Sequence, residues 1–415
     1  MTEASADSRP VWKMITREMP SRFATGKNRR LATLAEGLIE AGIALECHYT
    51  SNSHDLVVPH DPELWAKLDR VISWRIDPSG EEPAGSEEPV EGIVYRSVNH
   101  FAASFADEFT TANLEGVLFT SLELVSSLWK RIPPGVLKVL DGDEMESGRT
   151  QEFARIEYSI VSLFEKRSFV AKAMLEKMWI PKFDLVTLSS AKELEKAVAW
   201  VTDAPAQLTV WPNIAPEAEV VLEREVAETL SLFFVGHLGY PPNQDGLIWF
   251  LKEVFPLILK RYPDASLQVI GQRCPDSLIQ LLNRPGVTYL GAQPSLETFY
   301  ASATAAIVPL RAGTGTRIKI LEAFSRSCPV VSTSKGAEGL EVRAGKELLI
   351  ADDPEKFAEG CFSLHEDHSL GETLAEEARR FWKSGFTRET LNRVIADSIH
   401  RLRRTGNTNG PPHFG

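Results

Sequence analysis

Short apolar runs alternate with amphipathic segments throughout the second half of the chain. Apolar runs of strand length occupy 231–236, 266–271, 287–291, 305–310 and 329–334. Helical periodicity occupies 245–263, 296–303 and 316–327. Apolar strands that alternate with helices are typical of βαβ units, in which a parallel sheet is covered on both faces. We therefore expect an α/β domain in this half of the chain.

The first half carries a similar but weaker pattern. An amphipathic helix over 31–42 precedes a predicted strand over 43–49, and further strands are predicted over 115–121, 135–141 and 183–190. A long charged helical segment covers 149–180, and another helix begins at Ala191. We expect an N-terminal domain over 1–222 and a C-terminal domain over 223–385. Residues 386–415 are expected to form a C-terminal helix and a disordered tail, and packing of that helix on the N-terminal domain stays open.

Composition narrows the classes of protein that this chain can belong to. Apolar residues make up 43% and charged residues 25% of the 415 residues, as in ordinary globular proteins. The net charge of −12 disfavours a nucleic-acid partner. No apolar run approaches the roughly 20 residues of a membrane helix, and the first residues lack the pattern of a signal peptide. Four scattered cysteines without CxxC spacing predict reduced thiols in a cytoplasmic protein.

Three polar stretches are expected to lie outside the folded elements. Residues 1–10 and 405–415 have the composition of disordered tails. The acidic, proline-containing stretch 77–91 predicts an exposed loop rather than a domain boundary.

The loop that follows the fourth apolar run, 311–317, carries the clearest chemical signal. Gly313 and Gly315 allow a ligand to approach the backbone, and a helix begins directly after them. Arg311, Arg317 and Lys319 add positive charge near a helix N-terminus, where anions bind, and the sequence has no acid between 301 and 321. We expect a phosphate or a diphosphate here. Glu322, one turn further on, either binds ribose hydroxyls or forms a surface pair with Lys319.

Three further features suggest ligand contacts. The turn GHLGYPPN (236–243) follows the first apolar run, and its His237 either donates to a phosphate or a sugar or packs in the turn. The basic loop 17–30, with Gly26 at its turn, is interpreted as a second anion-facing loop. Asp141 and Asp143 form a DxD tripeptide after a predicted strand, for which we favour a role in a cleft without a metal.

The run GTGTRIKILEAFSRSCPVVSTSKGAEGL (313–340) resembles the donor-site signature of retaining GT-B glycosyltransferases, most of all those of glycosyltransferase family 4. Segments 235–250 and 289–310 resemble neighbouring parts of the same family, and 19–49 does so less closely. The resemblance implies an α/β fold of the GT-B type, with two Rossmann-like domains whose parallel sheets face each other across a cleft. It also implies a nucleotide-sugar donor that is held mainly by the second domain.

The resemblance assigns roles by position in the signature. Arg317 and Lys319 would contact the diphosphate and Glu322 the ribose, and the candidate catalytic residues are His237, Arg317 and Lys319. The complete implied donor-binding set is Gly236, Arg273, Gln293, Gly313, Thr314, Gly315, Thr316, Arg317, Lys319 and Glu322. The residues expected at the acceptor or in the cleft are Gly26, Arg29, Asp141 and Asp143.

The chain departs from the family pattern at two places. The EX7E pair of the family would place an acid at 314, where this chain has Thr314, so that only Glu322 remains. Many relatives carry an Arg and a Lys in the loop after the first C-terminal strand, and this chain has His237 and Asn243 there. Two interpretations stay open: a branch that uses the GTGTR loop in place of the first carboxylate, or a protein whose catalysis is weakened or lost.

The resemblance implies a hexosyltransferase-type enzyme that retains the anomeric configuration and needs neither a metal nor a cofactor. Its partners would be a nucleotide-diphosphate sugar and a glycan, lipid-linked or small-molecule acceptor, and no nucleic acid. A peripheral membrane contact stays open. The alternatives are a catalytically silent GT-B scaffold and a GT-B sugar-nucleotide epimerase or glycoside phosphorylase.

Overall fold

The computed structural model describes residues 9–22, 26–51, 61–76, 93–98, 105–153, 161–201, 207–215, 224 and 228–406. The chain forms two compact units. The first consists of Met1–Met145, Ala173–Trp211 and Leu391–Gly415, and the second of Glu146–Lys172 and Pro212–Thr390. The predicted loop 77–91 lies outside the described residues, as do 1–8 and 407–415 of the predicted tails.

Each unit is built on a sheet in which every described strand pair is parallel. The described strands of the first unit are β1 (Val11–Thr16), β2 (Ala44–Ser51), β3 (Arg70–Ile76), β4 (Ile93–Val98), β5 (Leu114–Phe119), β6 (Leu137–Asp143), β7 (Leu185–Leu188) and β8 (Leu208–Val210). Those of the second are β9 (Ser231–Val235), β10 (Ser266–Ile270), β11 (Val287–Gly291), β12 (Ala305–Val308), β13 (Val330–Ser332) and β14 (Leu349–Ile350).

Helices occupy the stretches between the strands. In chain order they are α1 (Gly26–Glu40), α2 (Pro62–Trp65), α3 (Leu122–Leu128), α4 (Glu146–Phe153), α5 (Val161–Trp179), α6 (Ala191–Trp200), α7 (Pro241–Trp249), α8 (Phe255–Arg261), α9 (Asp276–Leu282), α10 (Glu297–Ser302), α11 (Ile318–Ser325), α12 (Pro354–Glu366), α13 (His368–Gly385) and α14 (Arg388–Gly406). Short 3₁₀ turns lie at Ala106–Thr110, Trp129–Arg131 and Ile180–Lys182.

The strand order of each sheet reverses direction once. The described strands run β4-β3-β2-β1-β5-β6-β7-β8 in the first sheet and β11-β10-β9-β12-β13-β14 in the second. The reversal falls between β1 and β5 in one sheet and between β9 and β12 in the other. Ligands of open parallel sheets bind beyond the carboxyl ends of the strands at this switch point. In the second sheet, the loops that follow β9 and β12 are therefore the expected position of a ligand.

Apolar side chains fill the interior of each unit. In the second, Leu232, Phe234 and Val269 from the strands pack with Leu247 and Phe250 from the covering helix. All five side chains are fully shielded from solvent. Because both faces of this sheet are covered, its strands are apolar without alternation, which is why their positions could be predicted from the sequence.

A π-helical segment, Phe250–Val254, joins α7 to α8. The amide of Phe255 donates to the carbonyl of Phe250, five residues earlier. Pro256 follows directly and has no N–H to continue the ladder, so the helix predicted over 245–263 changes its hydrogen-bonding pattern at this point.

Helix α14 belongs to the first unit from Leu391 onward. It buries four apolar side chains, Leu391, Ile395, Ile399 and Leu402. In addition, the indole Nε1 of Trp211 donates to Ser398 Oγ at 3.2 Å.

Within the described part of the chain, no helix combines the length and the apolar character needed to cross a membrane. The four cysteines carry free thiols.

Candidate functional site

Two loops at the switch point of the second sheet form the centre of the candidate site. Residues 236–240 leave β9 and enter α7, while residues 309–317 leave β12 and enter α11. The first residues of the segment that resembles the donor-site signature, 313–317, thus lie at the edge of the sheet where ligands bind.

Glycines allow these loops to approach each other closely. A Cβ on Gly271 would lie 1.9 Å from the carbonyl oxygen of Gly236, and a Cβ on Gly246 would lie 2.5 Å from that of Pro309. A Cβ on Gly236 would lie 3.1 Å from Lys319 Nζ. Backbone from a neighbouring strand end fills the space beside Gly271 and Gly246, and the side chains of Asn243 and Lys319 fill the space beside Gly236, so none of the three positions has room for a side chain.

The loop before α11 is held by Arg317. Its guanidinium donates to the carbonyl oxygens of Thr314 at 2.8 Å, Gly313 at 2.9 Å and Lys335 at 3.2 Å. Gly313 and Gly315 adopt positive φ angles of 108° and 78°. The arginine therefore fixes a loop conformation that glycine makes accessible.

The Nε donor of Arg317 is not used by the described part of the protein. Its side chain is 95% shielded, and no acceptor among the described residues lies within hydrogen-bonding distance of Nε. A buried donor without a partner is rare in folded proteins. The predicted contact between Arg317 and a diphosphate stays a prediction.

Lys319 enters the same place from the first turn of α11. Its Nζ donates to Asn243 Oδ1 at 2.8 Å and lies 4.6 Å from the centre of the Phe234 ring. Desolvation by the surrounding protein, and after it the positive charge of Arg317, lower the pKa of Lys319 to about 7, although Glu322 opposes the shift.

Asn243 is a site residue that the sequence presented only as a departure from the family. Its Nδ2 donates to the carbonyl oxygen of His237 at 2.9 Å, while its Oδ1 accepts from Lys319. The side chain is buried and links the loop after β9 to α11. The available signal was a polar residue in the first turn of the helix that follows a buried strand.

His237 and Arg273 lie side by side in the loops that follow β9 and β10. Burial lowers the pKa of His237, and the nearby positive charge of Arg273 lowers it further. The imidazole is therefore neutral near pH 7. Arg273 is exposed and has a φ of 54°, a left-handed conformation that is uncommon outside glycine.

The other predicted donor residues occupy the same end of the sheet or its neighbouring loops. Thr314, Thr316 and Glu322 are buried, the last on α11 one turn after Lys319. Gln293 follows β11, and its Nε2 donates to the carbonyl oxygen of Leu290 at 2.7 Å. The roles assigned to these side chains stay predictions.

Arg311 is less available than its sequence context indicates. Its Nη2 lies 2.6 Å from Asp245 Oδ1 in a salt bridge. The sequence shows no acid between 301 and 321, but α7 brings Asp245 to the loop from 66 residues away.

In the first unit, Asp141 forms an internal ion pair. Arg30 donates to both of its carboxylate oxygens, at 2.9 and 2.6 Å, and Thr187 donates to Oδ1 at 2.8 Å. Arg30 also donates to the carbonyl oxygen of Trp211 at 3.0 Å. The pair ties α1 to β6 and β7, and a place for Asp141 at an acceptor stays a prediction.

Asp143 and Gly26 are more exposed than Asp141. The Asp143 side chain is 33% exposed and lies 3.5 Å from Arg30 Nε. Gly26 is the first residue of α1 and is exposed, and Arg29 follows within the same turn. The acceptor roles of these residues stay predictions.

Most cations of the basic loop 17–30 have acidic partners, and the partners of Arg17 and Arg22 are distant in the sequence. Arg17 pairs with Glu123, Arg22 with Asp61 and Glu63, and Lys27 with Glu18 at 3.7 Å. A count of charges along the loop includes Glu18 but misses Glu123, Asp61 and Glu63, so less unpaired positive charge is present than the sequence indicates. The anion-facing role of this loop stays a prediction.

One cluster in the first unit has the residue types of a metal site. Glu46, His48 and Glu108 offer ligand atoms that lie within 4.8 Å of one another. The ammonium of Lys13, however, binds Glu46 directly and lies 3.8 Å from Glu108. A cation therefore already neutralises the cluster.

The chemistry of the second unit favours an anion. Lys319, Arg317 and the neutral imidazole of His237 offer donors at the carboxyl end of β9, where glycines keep the backbone accessible. These groups suit a diphosphate whose negative charge increases during a reaction.

Residues 229–367 match the family model described as Glycosyl transferases group 1. This range contains every predicted donor-binding residue. The resemblance of this segment to glycosyltransferases is thus confirmed over these residues, whereas retention and membership of family 4 stay predictions. One curated relative, an uncharacterized 44.6 kDa protein from the cps region of Klebsiella pneumoniae, is 31% identical over 165 residues. The match covers 38% of this chain and 42% of the relative, so it spans less than half of either protein.

Solved structures show the same fold over nearly the whole chain. Sucrose-phosphate synthase from Thermosynechococcus elongatus has a TM-score of 0.69 at 16% identity, covering 97% of this chain and 100% of its own. HepE from Anabaena, in complex with UDP-glucose, has a TM-score of 0.62 at 13% identity, covering 94% and 99%. The pneumococcal O-GlcNAc transferase GtfA, in complex with UDP and GlcNAc, has a TM-score of 0.66 at 10% identity, covering 95% and 99%. The fold is GT-B, as predicted.

Proposed function

We propose that this chain is a glycosyltransferase that moves a sugar from a nucleotide-diphosphate sugar to the hydroxyl group of a glycan, lipid-linked or small-molecule acceptor. The observation that carries the proposal is the position of Lys319 Nζ and Arg317 Nε within the range that matches group 1 glycosyltransferases. The complexes of HepE and GtfA with UDP support a nucleotide donor. The four free thiols support a cytoplasmic location.

The residues of the second unit have distinct roles in this proposal. When the bond between the sugar and the diphosphate breaks, negative charge grows on the leaving diphosphate. Lys319 and Arg317 stabilise that charge, and the loop 313–317 is already held in place by Arg317, so little reorganisation is needed. Neutral His237 donates a hydrogen bond to the phosphate or to the reacting sugar.

We propose retention of the anomeric configuration without a metal. The acceptor oxygen attacks the anomeric carbon on the face that the diphosphate leaves, and a donor phosphate oxygen takes the hydroxyl proton. No protein nucleophile is required. The positive charges of Lys319 and Arg317 support metal independence, as does the engagement of Asp141 of the DxD tripeptide by Arg30.

A thermal-shift panel of UDP, GDP, ADP, dTDP and CMP, each with magnesium and with EDTA, tests the donor site. A ligand at ~100 times its Kd adds about 2.7 kcal/mol to the free energy of unfolding, which corresponds to several degrees. We expect one nucleotide to raise Tm equally with magnesium and with EDTA. NMR spectra of the sugar released from the matching donor then show whether its configuration is retained.

A substitution of Glu322 tests the predicted contact between this residue and the ribose of the donor. We expect Glu322→Gln to weaken binding of the nucleotide selected by the panel about 10- to 100-fold, the value of a hydrogen bond to a charged group of roughly 1.5–3 kcal/mol. Isothermal titration calorimetry measures the change. Glu359→Gln, at an exposed position on α12, is the matched control and should bind as the parent does.

Failure of every nucleotide to raise Tm would overturn the proposal. It would favour the silent scaffold that Thr314 suggests. Equal binding by Glu322→Gln and the parent would leave the donor site in place and remove the ribose role of Glu322.

A further inference from the structure

The amino group of Lys319 is unusual among the cations of the second unit because it faces uncharged groups. Its described neighbours are the amide oxygen of Asn243 at 2.8 Å and the Phe234 ring at 4.6 Å. No carboxylate among the described residues lies within 4 Å of Nζ, whereas Arg311, Lys335 and Arg326 have carboxylate partners at 2.6–2.8 Å. The charge of Lys319 is therefore not neutralised at short range.

The groups around Lys319 come from α11 and the residue before it, from β9 and the loop after it, and from α7. Arg317 directly precedes α11 and Glu322 lies on it one turn after Lys319, and the two act on the charge of Lys319 in opposite directions. His237 is the residue after Gly236, where a Cβ would lie 3.1 Å from Nζ, and the pKa of His237 is lowered by burial and by Arg273. From β9 and α7 the facing groups are Phe234 and Asn243, which do not titrate.

Because this arrangement disfavours the ammonium form, the pKa of Lys319 is about 7. A substantial part of the protein then carries a neutral amine at neutral pH. A diphosphate beside Nζ would supply the missing negative charge and raise this pKa again. The two forms of Lys319 thus differ in their affinity for an anion.

We propose that the site takes up one proton from solvent when a sugar nucleotide binds, that Lys319 receives the proton, and that Asn243 positions Nζ in both protonation states. The step is an acid–base reaction in which the amine becomes an ammonium group and no other bond changes. The inference rests on the proposed function, since the ligand is the diphosphate of the donor.

The proposal has a direct consequence for the pH dependence of binding. Below pH 7 the ammonium is already present, so the affinity is independent of pH. Above pH 7 each pH unit lowers the affinity about tenfold, because a proton must be taken from increasingly dilute solution.

Proton uptake is measured by isothermal titration calorimetry in pairs of buffers that differ in ionisation enthalpy. The probes are UDP-glucose, UDP-GlcNAc, GDP-mannose, ADP-glucose and dTDP-glucose, whose diphosphate diesters have no group that titrates near neutral pH. For the probe that binds, we expect little proton uptake at pH 6 and uptake of most of one proton at pH 8.

Three variants assign the proton to Lys319. Lys319→Arg keeps a permanent charge and should bind without proton uptake at either pH. Lys319→Met should also show no uptake and should bind equally weakly at both. His237→Gln should retain the uptake of the parent.

Asn243→Ala tests the positioning role of Asn243. In this variant the pH midpoint of binding should move to lower pH, because the ammonium of Lys319 loses its acceptor. A uniform loss of affinity at every pH would mean that Asn243 has a purely structural role.

The outcomes separate this inference from the proposed function. If no probe binds at either pH, both fail. If a probe binds at pH 8 without proton uptake, or if Lys319→Arg shows the uptake of the parent, the donor site stands and the proton-uptake proposal is overturned.

Discussion

Lys13 lies at the centre of the first sheet and is completely shielded from solvent. It faces Glu46 across the pairing of β1 with β2, and the two form a salt bridge. His48 Nε2 lies 3.4 Å from the same carboxylate, and its Nδ1 accepts from the Trp74 indole at 3.3 Å. A proton on Nδ1 would remove that acceptor. The buried surroundings of His48 therefore favour its neutral form.

This network predicts acid sensitivity in two steps. Burial lowers the pKa of His48 below its usual range, so stability is complete above about pH 6.5 and declines as the pH falls below it, because the unfolded chain takes up a proton that the folded protein does not. For Glu46, burial raises the pKa, but hydrogen bonds with His48 and Lys13 lower it to about 2. Its contribution is present above about pH 4.5 and is lost as the pH falls toward 2.

Urea denaturation at pH 7, 6 and 5 measures the first step. We expect the free energy of unfolding of the parent to fall toward pH 5 by at most about 1.4 kcal/mol per pH unit for one proton. His48→Gln should flatten this slope. His400→Gln, at an exposed position on α14, should keep the slope of the parent; an unchanged slope in His48→Gln would exclude His48 as its source.

At the scale of elements, the loops that leave β9 and β10 are in contact through their backbones. The space beside Gly271 is occupied by the carbonyl oxygen of Gly236, and Gly236 in turn borders Lys319. Because the amide of Gly236 also donates to the carbonyl of Ile270 at 3.0 Å, the two strand ends cannot separate freely. The shape of the candidate site thus depends on Gly271, a residue for which no ligand contact is predicted.

Gly271→Ala is expected to disturb this element contact. The added methyl group would overlap a backbone oxygen at 1.9 Å, so the strand ends must shift. We expect a loss of about 1–3 kcal/mol in the free energy of unfolding, together with weaker nucleotide binding. Chemical denaturation and calorimetry measure both effects. Gly385→Ala, whose Cβ meets nothing within 4 Å, is the control and should fold and bind normally; the same result for Gly271→Ala would contradict this explanation.

The elements of the second unit could be predicted more completely than the contacts of its site. The apolar runs located β9 to β13 within about two residues, because strands covered on both faces need apolar side chains at every position. The start of α1 at Gly26 rather than at 31 was missed because its first residues are polar. Contacts such as Lys319 with Asn243 depend on which strands are neighbours, and the sequence does not specify neighbours for residues 76 positions apart.

At the scale of the whole molecule, the chain leaves the first unit and returns to it. Residues up to Trp211 and residues from Leu391 belong to the same unit. Ile395 completes that unit against α1, where a Cβ on Gly37 would lie 2.5 Å from its Cδ1. The stability of the first unit therefore depends on a segment that is distant in the sequence.

Ile395→Ala tests this dependence. Ile395 is fully buried, and removal of a buried isoleucine side chain costs about 2–5 kcal/mol because it leaves a cavity. We expect a loss of this size in chemical denaturation. The matched control is Ile279→Ala, at a position that is 41% exposed, where we expect a change within about 0.5 kcal/mol. Equal effects of the two substitutions would mean that α14 contributes little to the first unit.

The return of the chain to the first unit also has a consequence for biosynthesis. Leu391 is made 180 residues after Trp211, which takes a ribosome roughly 10–40 s at about 5–20 residues per second. During that interval the nascent protein exposes the surface that α14 later covers, including Gly37 and the Trp211 indole. The second unit has left the ribosome before the first can be completed, so the part of the protein that is begun first is finished last.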